Sequence, residues 1–163
     1  MVTDSEIQRL AVLVLKKYRA KDLMLATAES CTGGLIVATL TNVAGSSDVV
    51  ERGFVTYTNT AKNQMLGVPA EILNNPGAVS EPVARAMAQG ALLRAPVDVA
   101  VSVTGIAGPG GGTDNKPVGL VHFGLAQKNR ATFAEHHVFP GDRTAVRNAT
   151  VRRALQLLAD AAD

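Results

Sequence analysis

Tryptophan is absent from the 163-residue sequence, and aromatic residues make up only 4% of it. Proteins that bind single-stranded nucleic acid stack the bases on exposed aromatic side chains, so this composition argues against that role. The net charge of +2 is also too small for a basic nucleic-acid surface. No apolar run approaches the roughly 20 residues that span a bilayer. We therefore expect neither a nucleic acid nor a membrane as partner.

Cysteine is almost absent as well. The single residue, Cys31, excludes an internal disulfide and is typical of a reducing compartment. The opening segment, MVTDSEIQRL, contains no basic region followed by an apolar stretch, so we predict no signal peptide and a cytoplasmic location. Hydrophobic residues make up 47% of the chain, which predicts one domain, residues 1–163, with a buried core.

Segments with helical periodicity alternate with segments that have the composition of strands. Helices are predicted at 4–20, 35–40, 59–67, 81–95 and 143–161, and strands at 23–27, 52–58, 97–105, 118–127 and 131–139. Helices between the early strands favour parallel pairing, whereas the last two strands favour an antiparallel hairpin. The expected fold class is α/β, a three-layer α/β/α sandwich with a mixed, partly parallel sheet.

Polar segments follow three of the predicted strands. They are TAESCTGG at 27–34, TYTNTAK at 56–62 and TGIAGPGGGTD at 104–114. Ligands of α/β sheets bind at the carboxyl ends of the strands. The sequence therefore predicts a functional site built from these three segments.

The glycine-rich segment matches neither common nucleotide-binding pattern. Gly111 stands where a P-loop has its lysine, and Thr113 stands at the third glycine position of a dinucleotide fingerprint. Backbone N–H groups near Gly108 and Gly110 can still approach an anion or a planar amide. The alternative is a mobile surface loop.

Ser30 has two interpretations, a helix cap and a nucleophile. Either Ser30 or Thr32 would satisfy the first N–H groups of the helix that follows. A nucleophile needs a base, and the histidines are poorly placed for this. His122 lies within a predicted strand, and the neighbours His136 and His137 point to opposite faces of another.

Lys62 is a second candidate base. Burial lowers the pKa of an amine, and a neutral Lys62 can take the proton of a serine hydroxyl. Tyr57, at the end of the preceding strand, is placed to relay or orient that proton. A solvent-exposed lysine and a packed tyrosine are the alternatives.

Cys31 and Glu29 offer a rival site. A cysteine nucleophile with Lys and Glu partners cleaves amides in another class of enzymes, although a free Cys is more often a small buried hydrophobe. Glu29 would orient Lys62, bind a ribose, or stabilise the N-terminus of the next helix.

Two arginines lie one turn apart at the start of the last predicted helix. Together, Arg143 and Arg147 would clamp a phosphate, or they form a solvated helix face.

Four ordered blocks of the sequence resemble the CinA C-terminal domain family, whose enzymatic members are nicotinamide-nucleotide amidases. The blocks are ATAESCTGGLIVATLTNVAGSS, GFVTYTNTAKNQMLGV, GAVSEPVARAMAQGA and SVTGIAGPGGGTDNKPVGLV. The resemblance implies an α/β/α sandwich that hydrolyses nicotinamide mononucleotide to nicotinic acid mononucleotide and ammonia. It implies Ser30 as nucleophile, Lys62 as base and Tyr57 as assisting phenol, with Thr32 left as the helix cap. It implies no metal and no cofactor, and members are commonly homodimers.

The resemblance also implies where the substrate binds. Backbone N–H groups near Ser30, or at Thr104 and Gly105, would stabilise an oxyanion. Helix N–H groups, the glycine-rich loop or Arg143 would hold the 5′-phosphate. The expected substrate-binding residues are Glu29, Cys31, Thr32, Gly33, Gly34, Thr104, Gly105, Gly108, Gly110 and Arg143. A non-catalytic nucleotide-binding or regulatory module is the alternative to an amidase.

Overall fold

The computed structural model describes residues 4–163. In chain order the elements are α1 (Ser5–Ala20), β1 (Leu25–Glu29), α2 (Leu35–Thr41), a 3₁₀ turn (Ser46–Asp48), β2 (Val50–Val55), α3 (Asn59–Leu66), α4 (Ala70–Ile72), a π-type turn (Leu73–Gly77), α5 (Glu81–Arg94), β3 (Val99–Gly105), β4 (Leu120–Gln127), β5 (Phe133–Val138) and α6 (Arg143–Ala161).

The five strands form one mixed sheet in the order β2-β1-β3-β4-β5. β1 pairs in parallel with both β2 and β3, and the last three strands pair antiparallel. The carboxyl ends of β1, β2 and β3 therefore meet at the same edge of the sheet. The predicted fold class, an α/β sandwich with a partly parallel sheet, is confirmed.

Helices cover both faces of this sheet. β3 shows the division, because Val99, Val101 and Val103 pack against α1, α2 and α6, whereas Ala100 packs against α3 and α5. A central strand covered on both faces is buried, here from Val99 to Thr104, and this explains the continuous apolar run that predicted it.

Single residues set the ends of three helices. Asp142 caps α6 through its Oδ1, which accepts the N–H of Ala145 at 2.9 Å. Gly67 ends α3 with a φ of 68°, in the left-handed region that glycine tolerates. Ser80 precedes α5 but does not cap it, because its Oγ donates to the carbonyl oxygen of Gly77 at 2.6 Å instead.

Two of the strands that lead into the polar segments end at other residues than predicted. β1 runs to Glu29 rather than ending at Thr27, because the polar side chains at its end are buried like the apolar ones. β2 ends at Val55, since Thr58 already caps α3 by accepting the N–H of Ala61. Within residues 4–163, no helix combines the length and the apolar character needed to cross a bilayer.

Candidate active site

Ser30 follows β1 directly and begins the turn that leads into α2. Its backbone N–H donates to Val103 of β3 at 3.1 Å, so the residue is held against the centre of the sheet. Gly33 and Gly34 then take left-handed conformations, with φ values of 59° and 100°, that a side chain would strain. The chain therefore reverses within a few residues and leaves Ser30 at the sheet edge.

Lys62 reaches Ser30 from α3. Its Nζ lies 2.9 Å from Ser30 Oγ and 3.1 Å from each of the carbonyl oxygens of Thr56 and Tyr57. The side chain is only 1% exposed. None of the ion pairs formed within residues 4–163 involves this amine. Lys62 is thus a buried amine whose contacts are uncharged.

The surroundings of Lys62 favour its neutral form. Burial lowers the pKa of Lys62 below the ordinary value of 10.5, against a smaller opposing effect of Cys31. The amine donates to both carbonyl oxygens and lies against the hydroxyl oxygen of Ser30. In its neutral form, its lone pair can accept the proton of Ser30. The contacts suit a base that is ready to activate Ser30.

These two residues lie at the bottom of a pocket of about 200 Å³. Its lining residues are Ser30, Cys31, Tyr57, Asn59, Lys62, Ala78, Val79, Thr104, Gly105, Ala107 and Arg143. We call the buried residues Ser30, Lys62 and Thr104 the inner wall, and the exposed residues Tyr57, Asn59 and Arg143 the rim. All three predicted polar segments contribute to the pocket.

The guanidinium group of Arg143 connects the rim residue Tyr57 to the glycine-rich loop. This group donates to the carbonyl oxygen of Gly108 at 2.8 Å and to the phenolic oxygen of Tyr57 at 3.1 Å. The phenol is therefore directed to the rim rather than between Ser30 and Lys62. The relay expected of Tyr57 is not seen in this geometry, because the backbone carbonyl of Tyr57, and not its phenol, contacts the amine.

Cys31 lines the pocket beside Ser30 and is almost fully buried. Burial raises the pKa of its thiol to about 12. The nucleophilic form of cysteine is the thiolate, which is scarce at neutral pH in such surroundings. The electrostatics of the site therefore favour Ser30 over Cys31 as nucleophile.

Arg143 and Arg147, for which a joint phosphate clamp and a solvated helix face were the two interpretations, bind different acceptors. Arg147 donates to the carbonyl oxygens of Cys31 and Thr32, at 3.2 and 2.9 Å. It is turned toward the Ser30 turn, whereas Arg143 is at the rim. The two guanidinium groups start one helical turn apart but lie in different places, because each donates to different backbone carbonyls.

Glu29 takes one of the three roles expected of it, stabilisation of the N-terminus of α2, whereas Thr32 does not take its expected role. Thr32 does not cap α2, because its hydroxyl donates to the carboxylate of Glu29 at 2.6 Å, and Glu29 itself accepts the N–H groups of Ile36 and Val37. Both side chains are fully buried and lie outside the pocket wall. The prediction that they contact substrate is corrected accordingly.

The predicted glycines fall into two groups. Gly105 lines the pocket, and a Cβ there would lie 2.7 Å from Val121 Cγ2, so the close approach of β4 requires glycine. Gly33, Gly34 and Gly110 lie outside the pocket wall, and Gly108 contributes its carbonyl to Arg143.

The inner wall also holds one member of a hydrogen-bonded pair, Thr104 and Ala78, of which only Thr104 was predicted. Thr104 was predicted, and its hydroxyl donates to the carbonyl oxygen of Ala78 at 2.9 Å. Ala78, Val79 and Ala107 form apolar lining that was not among the predicted site residues, and Asn59 joins the rim. Small apolar residues carry no local signal of a site, so they were recognisable only after folding.

The sequence profile of the CinA C-terminal domain matches residues 7–162. The chain belongs to this family. The nicotinamide-nucleotide amidohydrolase PncC of Escherichia coli K12 is 50% identical over 157 residues, which cover 96% of this chain and 95% of that protein. The crystal structure of the competence/damage inducible protein CihA from Agrobacterium tumefaciens matches with a TM-score of 0.96 and 50% identity, over 98% of both chains.

Other family members are longer. A putative competence-damage inducible protein of Caldicellulosiruptor bescii is 50% identical over 151 residues, which cover 93% of this chain. The chain spans only 36% of the length of that relative. The family resemblance seen in the four sequence blocks is thus confirmed over nearly the whole chain.

Proposed function

We propose that this family member is an amidohydrolase that converts nicotinamide mononucleotide to nicotinic acid mononucleotide and ammonia, with Ser30 as nucleophile and Lys62 as base. The 2.9 Å contact between Lys62 Nζ and Ser30 Oγ, at the buried side of the pocket, carries the proposal. The name of the Escherichia coli relative, at 50% identity over nearly its whole length, supports the substrate.

The first half of the reaction forms an ester on Ser30. Neutral Lys62 takes the hydroxyl proton while Oγ attacks the carboxamide carbon, giving a tetrahedral intermediate. Protonated Lys62 then gives the proton to the leaving nitrogen, and ammonia departs. The carbonyl oxygens of Thr56 and Tyr57 hold the amine in place through both transfers.

The second half returns the enzyme to its starting state. A water molecule attacks the ester while Lys62 again accepts a proton. Collapse of the second tetrahedral intermediate releases the carboxylate product and reprotonates Ser30 Oγ. Each proton taken by Lys62 is given back, so one amine serves as base and acid in turn.

The oxyanion of both intermediates needs hydrogen-bond donors. Among residues 4–163, no oxygen accepts the backbone N–H of Cys31, which directly follows the nucleophile. We assign this N–H to the oxyanion, since the N–H of the residue after the nucleophile serves this purpose in α/β-hydrolases. One such donor contributes about 3–4 kcal/mol to transition-state stabilisation.

Arg143 is the proposed partner of the 5′-phosphate. It lines the pocket at the rim, on the solvent side of the reacting pair. The guanidinium group can exchange its present acceptors, Gly108 and Tyr57, for phosphate oxygens. The pyridine ring that carries the carboxamide would then enter the pocket between Ala78, Val79 and Ala107.

The direct test measures ammonia and nicotinic acid mononucleotide released by the purified protein in the presence of EDTA. Ser30→Ala should abolish turnover, and Cys31→Ser should retain it. Hydroxylamine should intercept the acyl-enzyme and yield the hydroxamate from the wild type. Loss of turnover only in Cys31→Ser would refute the serine mechanism.

A wild-type protein that binds the nucleotide without turnover would instead support the non-catalytic module. The expected homodimer is part of the same proposal, and sedimentation velocity of the purified protein tests it.

A further inference from the structure

The carboxylate of Glu29 accepts four hydrogen bonds although it lies next to the nucleophile and outside the pocket. Thr27 and Thr32 donate their hydroxyls, at 3.1 and 2.6 Å. Ile36 and Val37 donate their backbone N–H groups, at 2.8 and 3.0 Å. The side chain has no exposed surface, so no substrate contact accounts for this arrangement.

The four donors come from three different pieces of the chain. Thr27 lies in β1, Thr32 lies in the turn that contains Ser30, and Ile36 and Val37 form the start of α2. One carboxylate therefore joins the strand before the nucleophile to the turn and the helix after it. Because four hydrogen bonds from these pieces converge on one buried side chain, the turn has little freedom to move.

The same residue reaches the base through its backbone. The carbonyl oxygen of Glu29 accepts the N–H of Thr56 at 2.9 Å. The carbonyl of Thr56 in turn contacts Lys62 Nζ at 3.1 Å. Glu29 thus connects the segment that presents the nucleophile with the segment that holds the base.

We propose that Glu29 is a positioning residue, whose carboxylate fixes the turn so that Ser30 Oγ is held within hydrogen-bond distance of Lys62 Nζ. Reaction rates depend steeply on such alignment, and displacement of a reacting group by about 1 Å can cost about 100-fold. This inference rests on the proposed function, because it assigns Glu29 a part in that reaction.

The test removes single bonds from the arrangement while the shape is kept. Thr32→Val deletes the hydroxyl that donates to Glu29, and Thr32→Ser retains it. Glu29→Gln replaces the acceptor by an amide of the same size. Thr150→Val is the matched control, because Thr150 is equally buried but donates to Val146 within α6.

We expect Thr32→Val and Glu29→Gln to lower kcat by about 10- to 100-fold. The KM for nicotinamide mononucleotide should stay within about twofold, since neither residue lines the pocket. Thr32→Ser should recover the activity, and Thr150→Val should keep it. The midpoint of the pH profile should not move, because the carboxylate of Glu29 is not among the contacts of the Lys62 amine.

Two outcomes would overturn the inference. One is wild-type kcat in Thr32→Val, which remains informative even when Glu29→Gln fails to fold. The other is a loss of kcat in Thr150→Val as large as that in Thr32→Val, when the two variants have the same melting temperature. The loss would then reflect general stability and not the position of Ser30.

A second measurement separates this inference from the proposed function. A fluorophosphonate probe reacts with an activated serine whatever the natural substrate is, and its attachment to Ser30 is followed by mass spectrometry. Slower labelling in Thr32→Val than in Thr32→Ser supports the positioning role even when the wild type releases no ammonia. Absence of ammonia would refute only the amidase, and equal labelling rates in both variants would refute the positioning role.

Discussion

The inner wall and the rim of the pocket differ in water access and in what their side chains contact. Ser30 and Lys62 are 7% and 1% exposed, and Lys62 is surrounded by uncharged oxygens. Tyr57 is 57% exposed and shares its phenol with the cation of Arg143. Exclusion of water lowers the pKa of the amine at the inner wall, whereas the solvated rim keeps a charged group available.

Under the proposed function, this difference separates chemistry from binding within one small pocket. A base needs burial to be neutral near physiological pH, but a phosphate-binding cation needs to remain charged and accessible. Placing Lys62 on a helix inside the sandwich and Arg143 at the start of α6 meets both needs. Substitutions in the inner wall should therefore change kcat, and substitutions at the rim should change KM.

The largest effect is expected for Lys62→Met, which keeps the shape of the side chain and removes the base. We expect kcat to fall at least about 1,000-fold, as for other catalytic bases. Lys16→Met, on the exposed face of α1, is the matched control and should be fully active. Substantial amidase activity in Lys62→Met would show that another group activates Ser30.

The pH dependence of activity should report the same amine. Because burial lowers the pKa of Lys62, kcat should rise with pH to a midpoint below 10.5 as the neutral form appears. Arg143→Gln should leave this midpoint unchanged. A rate that is independent of pH below 10.5 would contradict a role for Lys62 as base.

The free energy of unfolding should also increase with pH. Between the folded pKa of Lys62 and 10.5, the unfolded chain binds a proton that the folded chain does not. The free energy of unfolding contributed by this group therefore increases as pH rises through that window. Urea unfolding at neutral and alkaline pH should show this increase in the wild type relative to Lys62→Met.

A smaller effect is expected at the rim. Arg143→Gln should raise the KM for nicotinamide mononucleotide about tenfold, the cost of about one charge-assisted hydrogen bond, with kcat largely kept. Nicotinamide riboside, which lacks the phosphate, should be affected less. Equal losses for both substrates would place the phosphate elsewhere.

The smallest effect is expected for Tyr57→Phe. The phenol contacts Arg143 and not the amine, so its removal should change kcat/KM by no more than about threefold, as for one exposed hydrogen bond. A loss as large as that of Lys62→Met would show that the phenol moves to the reacting groups when substrate binds.

Much of this architecture follows from local sequence. Apolar periodicity predicts α1, Asp142 marks the start of α6, and the order of helices and strands predicts a partly parallel sheet. The parallel strands place their carboxyl ends at one edge, so the polar segments after β1, β2 and β3 are expected to meet. These inferences succeed because caps, turns and periodicity depend on residues only a few positions apart.

Tertiary structure decided which polar groups contact one another. Ser30 and Lys62 are 32 positions apart, and nothing local sets the 2.9 Å between them. Glu29 competes successfully with Thr32 for the N–H groups of α2, and Arg147 is drawn to backbone carbonyls away from Arg143. Each choice depends on which donors and acceptors packing brings together and buries. The sequence by itself determined the residues available for the chemistry, and the packing of β1 against β2, β3 and the helices determined their roles.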